Sequence, residues 1–234
     1  MPVHTNVPRL KDVMPPHPRL LLVGINPGLR SGAVGHHFAG NGNPFWKLLH
    51  ASKLTPRLLH YEEDQKLGEL GIALTNLCPR TTRSAAELTS AEIARGRRVL
   101  ARKIATLRPG VVAFVGLSLY QQFFQLPRSG GAGAKPERIS GAAVFVVPNP
   151  SGLNANFPGF KQKLIWFEAL REFVSETLAE RPAPSSSSSS SSSPSAIPGT
   201  RRRPTRRGRG RRRGRSRGRG RGASLAWRSS QGIM

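Results

Sequence analysis

"LLLVGINPGLRSG", residues 20–32, decides how this chain folds. Four apolar residues run into a turn with glycines at 24, 28 and 32, a proline at 27 and one uncharged amide, Asn26. A strand open to water on one face alternates apolar and polar residues; a continuously apolar run belongs to a strand covered on both faces, as in a parallel sheet. Three further runs share this texture, at 71–76, 111–116 and 143–147, so the first is read as a strand over 20–25.

Helical patterns fill the gaps. Residues 44–53 carry Phe45, Leu48 and Leu49 on one side. Residues 89–107 open with Thr89-x-x-Glu92, a capping box, then place Ile93, Leu100, Ile104 and Leu107 along one face. Residues 158–180 begin with Pro158 and repeat Phe160, Leu164, Phe167, Leu170, Val174 and Leu178 at helical intervals. Strands alternating with helices imply a three-layer αβα domain over 19–180 around a central, mostly parallel four-stranded sheet. Such sheets take ligands beyond the carboxyl ends of their strands. Two polar turns are expected there: Asn26 after the first run, and Pro148-Asn149-Pro150-Ser151 after the last.

The flanks are different material. Residues 1–18 hold five prolines and read as a mobile leader. Residues 181–200 form a Ser/Pro-rich linker with nine consecutive serines from Ser185, which cannot build a core. Residues 201–234 are arginine broken by glycine, proline and serine, without helical periodicity, and are expected to be a disordered basic tail. Charge follows this division. Residues 1–180 carry 22 Lys and Arg against all 12 acids, a formal +10, and the remainder holds 15 arginines, +15. A basic body with a more basic tail suits a polyanion. A membrane surface is the poorer partner, because the tail offers an interfacial helix little beyond Leu225, Ala226 and Trp227.

A single cysteine, Cys78, excludes an intramolecular disulfide and any cysteine-built zinc or iron–sulfur site. With no signal-like start and no run of membrane-spanning length, a soluble intracellular protein is expected. The turn after the first strand is no Walker loop or dinucleotide fingerprint, since the Gly-x-Gly-x-x-Gly spacing is missing. "SGGAGAKPE", 129–137, fails as a phosphate loop because Ala134 and Pro136 flank Lys135 where glycine and Ser or Thr belong; it reads as a surface loop. By itself "GINPG" is also explained as a tight turn in which Asn26 caps a helix.

Taken in order, however, "GINPG" (24–28), "GHHF" (35–38), "NPFW" (43–46), "TNL" (75–77), "RTT" (80–82) and "NPSGL" (149–153) resemble the mismatch-specific uracil/thymine DNA glycosylases of the uracil-DNA glycosylase superfamily. The likeness covers residues 20–175. The second motif separates the chain from single-strand-selective and main uracil-excising relatives, which carry His-Pro-Ser where this chain has Asn149-Pro150-Ser151. The resemblance implies that fold, and hydrolysis of the bond joining uracil, or thymine or a modified pyrimidine, to deoxyribose in mismatched duplex DNA, the first step of base-excision repair. It implies no cofactor and no metal; adjacent His36 and His37 lack metal-ligand spacing.

Roles follow by position. The matching Asn26 holds a water beneath the sugar carbon, an amide too weakly basic to deprotonate it, so positioning and electrostatics must carry catalysis. Phe38 matches the residue that stacks on the extruded base. Ile25, Ser31, His37, Asn76 and Thr82 complete the expected base pocket, with Asn76 reading the pyrimidine edge. Asn149, Ser151, Gly152, Leu153 and Asn154 match the loop that enters the minor groove, with Leu153 as its wedge. Bacterial relatives place a guanine-reading arginine two residues after the wedge; here it is Ala155, which puts strong opposite-base selectivity in doubt. No lysine matches the nucleophile of lyase-type relatives, so a monofunctional enzyme is expected. The competing reading is a binding module that keeps the fold without catalysis. Arg95, Arg98 and Arg102 stripe one helix, as a solvated face or a phosphate track. The chain is expected to work as a monomer on double-stranded DNA, its Arg/Gly tail adding non-specific nucleic-acid affinity.

Overall fold

The computed structural model describes residues 10–127, 130–151, 157 and 159–180. At its centre is a five-stranded sheet in the order β2-β1-β3-β5-β4. β1 (Leu20–Gly24), β2 (Ile72–Asn76), β3 (Val111–Val115) and β5 (Ala142–Val147) are the four apolar runs, paired in parallel. Every residue of β1, β3 and β5 is buried. Their side chains alternate between two cores: Leu20, Leu22 and Ala113 enter one, Leu21, Val23 and Phe114 the other.

Helices cover both faces. α2 (Phe45–Ala51) and α5 (Phe160–Ala179) pack Phe45, Leu48, Phe167 and Leu170 into the first core. α3 (Ser90–Leu107) and α4 (Leu117–Phe124) pack Leu100, Ile104 and Leu119 into the second. A short α1 (Leu29–Val34) follows the β1 turn, and a 3-10 segment, Tyr61–Leu70, precedes β2. α3 starts at its expected cap. Thr89 Oγ1 accepts the Glu92 N–H at 3.2 Å and the Glu92 carboxylate accepts the Thr89 N–H at 2.9 Å; such a cap contributes about 1 kcal/mol. None of the described helices is long and apolar enough to cross a membrane.

Two expectations are corrected. The sheet has five strands rather than four, because residues 133–137, expected as part of a surface loop, belong to β4 (Gly133–Ile139), antiparallel to β5. The glycine that signals a loop here admits the α5 ring of Trp166, which lies 3.2 Å from where a Gly133 Cβ would sit. The pairing shifts register between Lys135 and Arg138, around Pro136, which has no N–H to give. The leader, expected to be mobile over 1–18, is packed from residue 10 onward. Val13 is buried and exchanges two main-chain hydrogen bonds of 2.9 Å with Leu74 of β2. Asp12 accepts from Thr75 Oγ1 at 2.8 Å and from Lys103 Nζ at 2.5 Å. Its prolines stiffen an extended segment that has partners to reach. Residues 1–9, the serine linker and the arginine tail lie outside the described residues.

Candidate active site

β1 is flanked by β2 on one side and β3 on the other, so connections leave it in opposite directions and open a crevice beyond the strand ends. That crevice measures about 910 Å³ and is lined by Ile25, Asn26, Thr82, Gly116, Asn149 and Ser151, among others. Residues distant in sequence reach it because four parallel strands all end on the same side.

The turn after β1 is zipped to the segment after β2. Gly24, Ile25 and Pro27 offer their carbonyls to the N–H groups of Leu77, Cys78 and Thr82 at 2.8, 2.8 and 3.1 Å. Asn26 stands at the tip. Its Nδ2 donates to the Thr82 hydroxyl at 2.6 Å, the Arg80 carbonyl at 3.0 Å and the Pro27 carbonyl at 3.2 Å. Two of these partners are carbonyls, which only accept, so the side-chain nitrogen must face them and the amide cannot be flipped. Thr82 spends its own proton on the Ser84 carbonyl at 2.8 Å. With its donors engaged, the amide retains Oδ1 as an acceptor at the crevice, the polarity needed to orient a water.

Phe38 takes a left-handed backbone, φ +50°, that a bulky residue adopts only when its surroundings impose it. The amides on either side impose it. The His37 N–H donates to Asp64 Oδ2 at 3.0 Å and the Ala39 N–H to Ser31 Oγ at 3.0 Å. The Phe38 ring then stacks on Phe45, centroids 3.7 Å apart. Asn76, the last residue of β2, meets this ring across Gly24: a side chain at Gly24 would collide with Asn76 Oδ1 and touch Phe38. The absent Cβ therefore makes room for the amide and the ring together.

Of the expected pocket residues, Ser31 and His37 lie behind this surface, and Thr82 borders the crevice with little area of its own. Ser31, His37 and Thr82 are 6%, 1% and 3% exposed, leaving almost no surface for a base to touch. Ser31 and His37 brace the Phe38 loop and Thr82 braces Asn26. The His37 ring reaches the Lys11 carbonyl through Nε2 at 3.1 Å, so that nitrogen carries the proton. Burial pushes the His37 pKa down from its ordinary value, although Asp64 works against the shift. Ile25 is half-buried at the crevice.

The second turn closes on itself, with the Ser151 N–H donating to Asn149 Oδ1 at 3.0 Å. From within, Lys163 of α5, 2% exposed, donates to the carbonyls of Pro150 and Ser151, both at 3.2 Å. Gly152, Leu153, Asn154 and Ala155 lie outside the described residues.

Sequence reasoning missed Asp64 and Lys163. Asp64 sits among Glu62 and Glu63 and carried no signal. Lys163 did carry one, a lysine four residues before Phe167 on an apolar stripe.

The family model for the uracil DNA glycosylase superfamily matches residues 11–171. The chain belongs to that superfamily. The superfamily match takes in both turns of the crevice and each of their braces, Lys163 included. The chain is also similar to the G/U mismatch-specific uracil DNA glycosylase of Schizosaccharomyces pombe (strain 972 / ATCC 24843), with 34% identity over 164 residues, 66% of this chain and 50% of that protein. It thus spans about half the length of this superfamily relative.

Proposed function

We propose that this chain is a monofunctional DNA glycosylase that hydrolyses the N-glycosidic bond of uracil flipped out of mismatched double-stranded DNA, initiating base-excision repair. The observation that carries the reading is the pinned amide of Asn26, its nitrogen held by Thr82, Arg80 and Pro27 and its oxygen left to accept from a water. In the reaction the bond between the sugar C1′ and the base nitrogen breaks, and the pair of electrons leaves with the base. The water oxygen closes on C1′ and its proton is lost to solvent, leaving an intact abasic sugar. An amide cannot take that proton, so rate comes from placing the water and from stabilising the departing anion. Phe38 stacks on the extruded base, Asn76 reads its edge, and the loop at 149–154 fills the gap with Leu153 as wedge. Thymine and modified pyrimidines belong to the same substrate class. The name of the fission-yeast relative supports a G·U substrate, while Ala155 argues for weak dependence on the opposite base.

Duplexes carrying uracil, thymine or etheno-cytosine opposite guanine or adenine, scored for alkali-labile sites, test this directly. Asn26→Ala should slow excision by about a thousandfold while duplex binding persists; undiminished turnover by that variant refutes the assignment.

The Arg/Gly tail adds sequence-independent affinity for nucleic acid, and the enzyme works as a monomer on intracellular DNA, in the nucleus if the source is eukaryotic. Truncation after Glu180 should lower non-specific affinity and flatten its salt dependence without touching excision from short duplexes. An unchanged salt slope would remove the tail from this account.

A further inference from the structure

Lys163 breaks the pattern of its helix. Phe167, Leu170 and Val174 continue its stripe into the core, and an apolar residue at 163 would complete that stripe. Instead the position holds an ammonium, and none of the ion pairs among the described residues involves it. Burying a cation without a carboxylate is costly, and burial accordingly lowers the Lys163 pKa from the ordinary lysine value. Such a breach of the apolar pattern marks a place where something other than stability is served.

The geometry shows what is served. Two successive carbonyls, those of Pro150 and Ser151, point inward at one Nζ. A trans peptide carries its N–H opposite its C=O, so drawing the Pro150 carbonyl inward turns the Ser151 N–H away, to Asn149 Oδ1. The turn is clamped from inside by charge and from outside by an Asx bond. Its outer face presents Asn149 and Ser151 to the crevice with a positive charge behind them. That arrangement suits a phosphodiester, which backbone and side-chain donors locate without reading sequence.

We infer that Lys163 is a positioning residue for excision: it fixes the Asn149–Ser151 turn against the phosphodiester strand that carries the extruded nucleotide. The inference rests on the glycosylase reading above. Lys163 is no nucleophile, since it is almost fully buried and its head is engaged by two carbonyls. A fixed turn matters most when the base must be drawn from a stable pair, and least when it is already unpaired.

The test compares single-turnover excision from two duplexes, one with uracil opposite guanine and one with uracil opposite an abasic analogue. Lys163→Met keeps the stem and removes the donors. It should lose about tenfold on the paired uracil and remain within about twofold of wild type on the unpaired one. A role confined to stability would lower Tm and slow both substrates alike, and that result overturns the inference, as does an unchanged rate on both. Leu153→Ala runs in parallel to separate this failure from that of the loop reading. Discrimination by Lys163→Met alone supports the inference and retires Leu153 as wedge. Discrimination by Leu153→Ala alone keeps the loop and overturns Lys163, and discrimination by neither overturns both. Should Lys163→Met not accumulate as folded protein, Lys163→Gln, neutral and one bond shorter, goes through the same comparison.

Discussion

The turn after β1 and the turn after β5 border one crevice but are braced by different chemistry. Asn26 is held by two carbonyls and a hydroxyl, all neutral. The Asn149–Ser151 turn is held by the buried ammonium of Lys163. In the roles proposed above, neutral braces suit an Asn26 that orients a neutral water without perturbing it, whereas a cation suits a turn that meets a phosphate. On that proposal, the difference teaches that a brace follows the charge of what the braced group touches rather than strength alone.

The sharpest way to break this contrast is to place charge in the first turn. In Asn26→Asp a carboxylate oxygen would take the place of Nδ2 and face the Pro27 and Arg80 carbonyls, which now accept at 3.2 and 3.0 Å. Although an acid could in principle assist the water, that clash should move it, and excision should fall by about a hundredfold at neutral pH. An Asn26→Asp enzyme as fast as wild type would erase the distinction between the turns. Next in size comes the roughly tenfold, pair-dependent loss expected of Lys163→Met, read from the ratio of rates on paired and unpaired uracil.

The smallest effect sharpens the contrast from the side of the Phe38 loop. Burial depresses the His37 pKa below 6.5. Between that depressed value and 6.5 the unfolded chain binds more protons than the native one, so stability rises with pH across this window and is lost as pH falls through it. Tm should therefore drop on acidification below pH 6.5, and His37→Asn should flatten the slope. An identical slope in the variant would show that the loop's brace is not the titrating group.

What the sequence revealed depended on how local each cause was. β1, β3 and β5 were legible because double burial excludes polar residues, and α3 because a cap is built from neighbours three apart. The place of Asn26 at the crevice was legible through its motif. β4 was not, since its strand character comes from pairing with β5 and from Trp166 filling the space above Gly133, both long-range facts. Asp64 was hidden for a similar reason. Three acids in a row read as a wet surface, and the partners that turn one inward, the His37 N–H and His36, lie 27 and 28 residues away. Lys163 is masked in the sequence because its apolar neighbours Phe160 and Leu164 continue the helical stripe, yet Phe160 is 39% exposed while the lysine is buried.

The two margins of the sheet have a consequence for self-association. Val13 occupies the outer side of β2, and the outermost strand, β4, carries Pro136 within a shift of register. Open strand margins are templates that recruit a copy of the same chain into mixed sheets and aggregates. With a bridge at Val13 on one margin and a register shift on the other, the sheet gives a second copy little regular edge to extend, which supports the monomer proposed above.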